Sequence, residues 1–310
     1  MRKLLFAACA YLVCGHAFAQ VVPGSGLVGR WDIQVKEGAR TAPSWLEVEV
    51  SGVKTLVGRF CSTGGSARPV SEVLFDSGHF HFSIPPQWEG GGNPLTVQGV
   101  LRDGSIEGTV TDPSGQSYAF TGVRAPLLAR HDAPHWGKPV RLFNGVDLTG
   151  WEQTGSAHQW VVQDGVLVSP HAGSNLVSSR KFTDFKLHVE FKYTRDGNSG
   201  VYLRGRYEVQ IEDSPPTAHP TSHLFGGVYG LLTPSDMMAK GPDRWQSYDI
   251  TLVGRMVTVV ANGKTIICNQ EIPGITGGAL DSDEGAPGPV YFQGDHEAIQ
   301  FRNVVITPVE

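Results

Sequence analysis

Glu208, Gln210 and Glu212 recur at every second position of RYEVQIED, residues 206–213. On a β-strand such residues share one face, with Tyr207, Val209 and Ile211 on the other. Carboxyls at this spacing can do acid–base work on a glycosidic bond. A retaining glycosidase needs its acid and nucleophile about 5–5.5 Å apart, and same-face residues two or four apart on a curved sheet can meet that. Gln210 breaks the pattern, because an amide cannot ionise to hold a proton on its neighbours. The same alternation also describes the wet face of an ordinary antiparallel sheet, with weak surface ion pairs.

The alternation extends backwards. From Val201 the odd positions are mostly apolar, and the even positions add Tyr202, Arg204 and Arg206. It predicts one long strand, with Gly205 as a bulge that re-aims the residues after it. Other groups have chemistry-bearing types but poorer context. His79 and His81 alternate with Phe80 and Phe82 and read as a solvent-facing pair. His219 and His223 have i, i+4 spacing, but Pro220 denies them a helix on which to hold zinc. Asp281, Asp283 and Glu284 form an acidic loop that reads as solvated. It lacks the full calcium-loop pattern, although calcium or another divalent ion stays open. Gly24 to Gly29 matches G-x-G-x-x-G without a preceding strand or following helix, so it reads as a flexible leader. Trp151, Trp160, Tyr229 and Trp245 can stack on sugar rings. Strand-end tryptophans more often pack in cores, which leaves Tyr229, beside glycines in GGVYGLLTP, as the best candidate to face a ligand.

The elements that must position these residues are strands. Gly 39 and Pro 20 punctuate short β-branched runs, and no helical periodicity is evident. An all-β chain follows, with a small antiparallel barrel or sandwich over 20–127, a proline-bearing extended linker over 128–141, and a β-sandwich over 142–310. Asn262-Gly263 between two apolar runs predicts a type I′ hairpin. Residues 1–19 read as a cleaved signal peptide: two basic residues, an apolar run, then Ala17-Phe18-Ala19. The mature protein is therefore expected to be secreted or periplasmic. A net charge of -5 without a basic block argues against nucleic-acid binding, and no other stretch is apolar enough to span a bilayer. Cys61 and Cys268 survive export and read as isolated thiols. Nothing in the sequence sets an oligomeric state.

Three segments occur in order: LFNGVDLTGW, GNSGVYLRGRYEVQIEDS, and GALDSDEGAPGPVYFQGDHEAIQFRNVVITP. Together they resemble the 3-keto-disaccharide hydrolase domain family over about residues 142–309. The resemblance implies a concanavalin A-like jelly roll acting on sugars whose C3 hydroxyl has become a ketone. It also makes the N-terminal part an accessory domain. A C3 ketone acidifies the hydrogen on C2, so elimination of the C1 substituent and hydration can replace an oxocarbenium route. That chemistry needs one base, one acid and a donor to the enolate oxygen. On this reading the catalytic candidates are Glu208, His296, Arg204 for enolate charge, and Asp213, which the family pattern favours over Glu212. The substrate-binding candidates are Gln210, Asn198, Ser199, Tyr229 and Gln293. No cofactor is expected, and the partner is a carbohydrate. A lectin-like binding module and a conventional jelly-roll glucanase remain as alternatives, since the fold admits all three.

Overall fold

The structure, a computed structural model, describes residues 24, 26–87 and 92–310. The expected signal peptide lies outside the described residues. Within them the chain is all-β, and every sheet is antiparallel.

The N-terminal strands are β1 (Gly29–Glu37), β2 (Arg40–Ser51), β3 (Thr55–Cys61), β4 (Arg68–Val70) and β5 (Leu74–Asp76). They continue as β6 (His79–Ile84), β7 (Leu95–Arg102), β8 (Ser105–Thr111) and β9 (Ser117–Arg124). These pair in the order β4-β3-β2-β1-β9-β8-β7-β6-β5, an up-and-down sheet. It curls until Phe60 of β3 meets Phe82 of β6 edge to face, with ring centroids 5.6 Å apart. Period-two alternation produces this: Phe80, Phe82 and Ile84 are buried while His79, His81 and Ser83 face out. Strand β2 departs from alternation, being buried from Ala42 to Val48. Leu46 and Val48 join the curled sheet's own core, whereas Trp45 packs into the core of the C-terminal sandwich. The G-x-G-x-x-G segment is no loose leader, since Leu27 is fully buried and its N–H donates to Gly24 O.

The sandwich starts with β10 (Val140–Arg141), inside the expected linker. Then come β11 (Trp151–Thr154), β12 (Val161–Gln163), β13 (Val166–Ser169), β14 (Asn175–Phe182), β15 (Phe185–Tyr193) and β16 (Asn198–Leu203). The last six are β17 (Tyr207–Glu212), β18 (Gln246–Val253), β19 (Met256–Ala261), β20 (Lys264–Glu271), β21 (Gly288–Phe292) and β22 (Ile299–Pro308). One sheet runs β12-β13-β22-β15-β18-β19-β20, with β10 beside β22, and the other runs β11-β14-β21-β16-β17. Their inner faces meet at Phe292 and Phe301, stacked with centroids 4.1 Å apart. Each such ring contributes roughly 1.5–3 kcal/mol by leaving water. Asn262 and Gly263 take φ of 51° and 85° and join β19 to β20, as their sequence requires. The linker is pinned to the sandwich: Arg130 Nε donates to Asp184 Oδ2 at 2.7 Å, and Trp136 bridges to Val309. Cys61 is buried, Cys268 is exposed, and no disulfide occurs among the described residues.

Candidate active site

The expected single strand from Val201 to Glu212 is two strands. Arg204 and Gly205 both have positive φ, 53° and 68°, and turn the chain back so that β16 and β17 form a tight hairpin. The connection between them is three residues, Arg204 to Arg206, and an odd-length loop conserves side-chain parity, so the even residues of both strands still share a face. Register places Tyr202 opposite Glu208, Gly200 opposite Gln210, and Asn198 opposite Glu212. On the far side of β16, Tyr202 pairs with Tyr291 of β21, and Gln293 N donates to Gly200 O at 3.0 Å. The result is a polar grid on one face of the five-stranded sheet. Val201, Val209, Ile211 and Phe292 fill the core behind it.

This face is not a wet sheet surface. Glu208 is 3% exposed and Gln210 2%. Two loops cover them. Residues 226–229 run beside β17, where Tyr229 N donates to Glu208 O at 3.0 Å and Gln210 N to Gly227 O at 2.9 Å. Residues 276–278 close the hairpin end, where Glu208 N donates to Thr276 Oγ1 at 3.0 Å. Between the loops lies a cleft of about 520 Å³, lined by Glu208, Gln210, Glu212, Asn198, Tyr202, Tyr229, Tyr291, Gln293, Asp295 and His296, among others.

Six sequence-derived candidates therefore meet in one cleft: Glu208, His296, Gln210, Asn198, Tyr229 and Gln293. Three do not. Arg204 is buried outside the cleft, where Nη2 donates to Tyr207 Oη at 3.0 Å and Gly254 O at 2.9 Å. The turn redirects it, so it cannot meet an enolate in the cleft. Asp213 accepts from Asp196 N at 2.9 Å and holds the loop before β16. Glu212, which the family pattern disfavours, lines the cleft instead. Ser199 points away from the grid and donates to Gln293 O at 2.8 Å. Trp151 and Trp160 are buried in the sandwich core, and Trp245 lies under Arg302, 3.9 Å from ring centroid to guanidinium. The acidic loop is not simply solvated either. Glu284 is fully buried and accepts from Arg255 and Tyr207, while Asp281 accepts from Arg206 Nε at 2.6 Å.

Sequence reading gave no role to Tyr202, Tyr291, Asp295 and His223, all of which line the cleft. Tyr202 stands on the even face and Asp295 in QGDH, so both carried a signal. Tyr291 and His223 are placed only by pairing and loop packing.

A family model described as the 3-keto-alpha-glucoside-1,2-lyase-like domain matches residues 138–307, more than half of the chain. The chain belongs to this family. A 3-keto-disaccharide hydrolase of Bacteroides thetaiotaomicron is 27% identical over 86 residues, 24% of this chain and 29% of that protein. That match spans less than a third of the curated relative's length. Two solved Parabacteroides distasonis proteins, each described as a glycosyl hydrolase, are similar in part. One is 27% identical with a TM-score of 0.48, covering 58% of this chain and 93% of that one. The other is 20% identical with a TM-score of 0.47, covering 56% and 94%.

Within this family's sandwich the electrostatics centre on Glu208. Burial pushes its carboxyl up to about 8, against the opposing pull of Tyr202 and His296. Hydrogen-bond counting agrees. Tyr202 Oη lies 2.9 Å from Glu208 Oε2 and 2.8 Å from Gly277 O. The hydroxyl has one proton and a carbonyl can only accept. Both contacts are made together when Tyr202 donates to Gly277 and Glu208 carries a proton that it donates to Tyr202. Gly200 makes room for this, because a Cβ there would lie 2.2 Å from Glu208 Oε1. Across the cleft, His296 Nδ1 lies 2.8 Å from Asp295 Oδ1, and that bond raises the histidine above its ordinary pKa. Asn175 steadies the pair, its Nδ2 reaching Asp295 Oδ2 at 3.4 Å and its Oδ1 accepting from Gly294 N at 2.7 Å. The Oε1 atoms of Gln210 and Gln293 are buried and have no hydrogen-bond partner among the described residues. Such acceptors suit the hydroxyls of a bound sugar.

Proposed function

We propose that this protein is an exported enzyme that cleaves glycosides whose C3 carbon is a ketone. The observation that carries the reading is the buried Glu208 carboxyl lining the same cleft as the Asp295–His296 pair. Two titratable groups of different chemistry, a buried carboxyl and a carboxylate-oriented imidazole, face one cleft, which suits an elimination with separate acid and base. His296, oriented by Asp295, takes the C2 hydrogen, and its electron pair becomes the enolate of the C3 ketone. Tyr291 and Gln293, two residues apart on the grid, supply donors for the enolate oxygen. The C1–O bond then breaks as the C1=C2 bond forms and the ketone returns. Glu208 gives its proton to the departing oxygen. Water adds back across C1=C2, its hydroxyl to C1 and a proton from His296 to C2, while Glu208 takes the water's other proton. The sum is hydrolysis, with no net oxidation.

A conventional glucanase reading rests on Glu212, four residues from Glu208 in the same cleft. Gln210 Nε2 donates to Glu212 Oε2 at 3.1 Å, and no carboxylate stands between the two acids. A lectin-like reading leaves the buried Glu208 carboxyl without a task. The deciding experiment incubates the purified protein with a 3-keto-disaccharide and with its unoxidised parent. Cleavage of the keto form alone is expected. Cleavage of the parent supports the glucanase, and binding without turnover supports the lectin-like module.

A further inference from the structure

The cleft is not built by the family's sandwich alone. Thr63, Gly64 and Gly65 also line it, and they lie in the connection between β3 and β4 of the N-terminal sheet. The family match starts at residue 138 and does not reach them. We propose that this connection, residues 62–67, is the wall of the leaving-group subsite and sets which second residue the enzyme accepts. The proposal rests on the elimination reading above, because Glu208 there protonates the departing oxygen and so marks that end of the cleft.

Three observations support it. First, the connection is anchored at its base. Cys61 and Trp45 are fully buried within the sandwich's core cluster, and Ser44 Oγ donates to Cys61 O at 2.6 Å. A Cβ on Gly274 would lie 2.1 Å from Trp45 Cε2, so the two surfaces meet without a gap. Second, the connection packs on the two loops that hold Glu208. A Cβ on Gly277 would lie 1.9 Å from Gly65 O, and one on Gly230 would lie 2.5 Å from Ser66 Cβ. Those loops supply Thr276 Oγ1 to Glu208 N and Tyr229 N to Glu208 O. Third, the connection is narrow where it meets the cleft. Gly64 is exposed, its φ lies outside the left-handed range, and a Cβ there meets nothing within 4 Å. A side chain at Gly64 therefore adds bulk at the cleft's rim without strain or clash. The small residues leave space beside Glu208 that a second sugar ring would fill.

The other large concavity, about 1070 Å³ on the N-terminal sheet, is lined by His79, His81, Gln98, Glu107 and neighbours. It shares no lining residue with the Glu208 cleft, and nothing in it names a ligand.

The test is Gly64→Phe, compared with wild type on a 3-keto-disaccharide and on the 3-keto methyl glycoside of the same sugar. The expected result is a fall of about tenfold or more in the ratio of kcat/KM for disaccharide over methyl glycoside, the scale on which pocket contacts discriminate. The loss should sit in KM, with the melting temperature unchanged. An unchanged ratio, or an equal loss on both substrates, overturns the proposal. Calorimetric binding of the unoxidised disaccharide and monosaccharide to both proteins gives a readout that needs no turnover. If wild type cleaves neither keto substrate, the elimination reading falls. Selective loss of disaccharide binding in Gly64→Phe would then still place a second-sugar subsite at this wall, and equal binding by both proteins would remove it.

Discussion

Glu208 combines two properties that are separable by substitution, a proton to give and a buried carboxyl to keep neutral. Glu208→Gln keeps the shape and an acceptor but removes the titratable proton. Activity is expected to fall by about 10²–10⁴-fold, the usual contribution of one acid or base. Stability should change in the opposite sense, and only with pH. A carboxyl raised to about 8 in the fold and near 4.5 when unfolded stabilises fully below the unfolded value. As pH climbs from about 4.5 to about 8, wild type loses about 1.4 kcal/mol per unit, because the unfolded chain ionises first. The Gln variant escapes that loss. Melting temperatures taken from pH 5 to 9 should therefore diverge in favour of the variant and run parallel above about pH 8. Parallel curves throughout would mean that Glu208 is not held neutral. The sequence showed this residue through parity alone, and parity cannot reveal burial. What changed its meaning was cover from two distant loops, whose approach leaves no periodic mark.

The elements were legible where turn chemistry is local. Asn262-Gly263 announced its hairpin, since both residues accept positive φ cheaply. Arg204-Gly205 also takes positive φ, at the start of a three-residue connection, but arginine has no such preference, so the alternation of apolar residues ran through it unbroken. The error cost little at Tyr202 and Glu208, because a three-residue connection preserves parity. It misplaced Arg204, which sits in the turn itself. Gly200 is the element-scale residue that sequence could not price, lying in mid-strand where glycine is ordinarily a weakness. It is retained here because Glu208 lies across it. Gly200→Ala is expected to push the Glu208 carboxyl out of its contact with Tyr202. The sheet should survive with a loss of about 1–3 kcal/mol from overpacking. The catalytic loss should be larger, tenfold or more in kcat/KM, since a misplacement near 1 Å can cost about 10²-fold. Denaturant midpoints and kinetics on one preparation would separate the two. A variant with full turnover would show that the carboxyl has no need of that space.

At the scale of the molecule, the N-terminal sheet and the sandwich meet through charge, at an exposed pair and a buried one, as well as Trp45. Arg30 Nη1 donates to Glu271 Oε1 at 2.5 Å, and Arg255 donates to Glu284 on one side and to Pro126 O, at 3.1 Å, on the other. Asp32 of β1 is 5% exposed and faces Glu284. Burial first, and then the neighbouring Glu284 carboxyl, push Asp32 up to about 8, so it enters this junction carrying its proton. None of this could be read from spacing, because Asp32 and Glu284 are brought together only when the two halves dock. The consequence is a junction that loosens with alkali. Asp32 in the unfolded chain ionises near 3.8, so its stabilising contribution is complete below that value and drains away as pH rises through about 8. Asp32→Asn should flatten the fall of melting temperature between about pH 4 and 8 by its own share. Glu208→Gln removes a separate share at a site with no common partner, so the two effects should add within about 0.5 kcal/mol in the double variant. Limited proteolysis distinguishes the two locations. Wild type at pH 9 should be cut in residues 125–139 faster than Asp32→Asn, whereas Glu208→Gln should be cut there like wild type. Equal cutting of wild type and Asp32→Asn at pH 9 would show that the junction does not depend on the Asp32 proton.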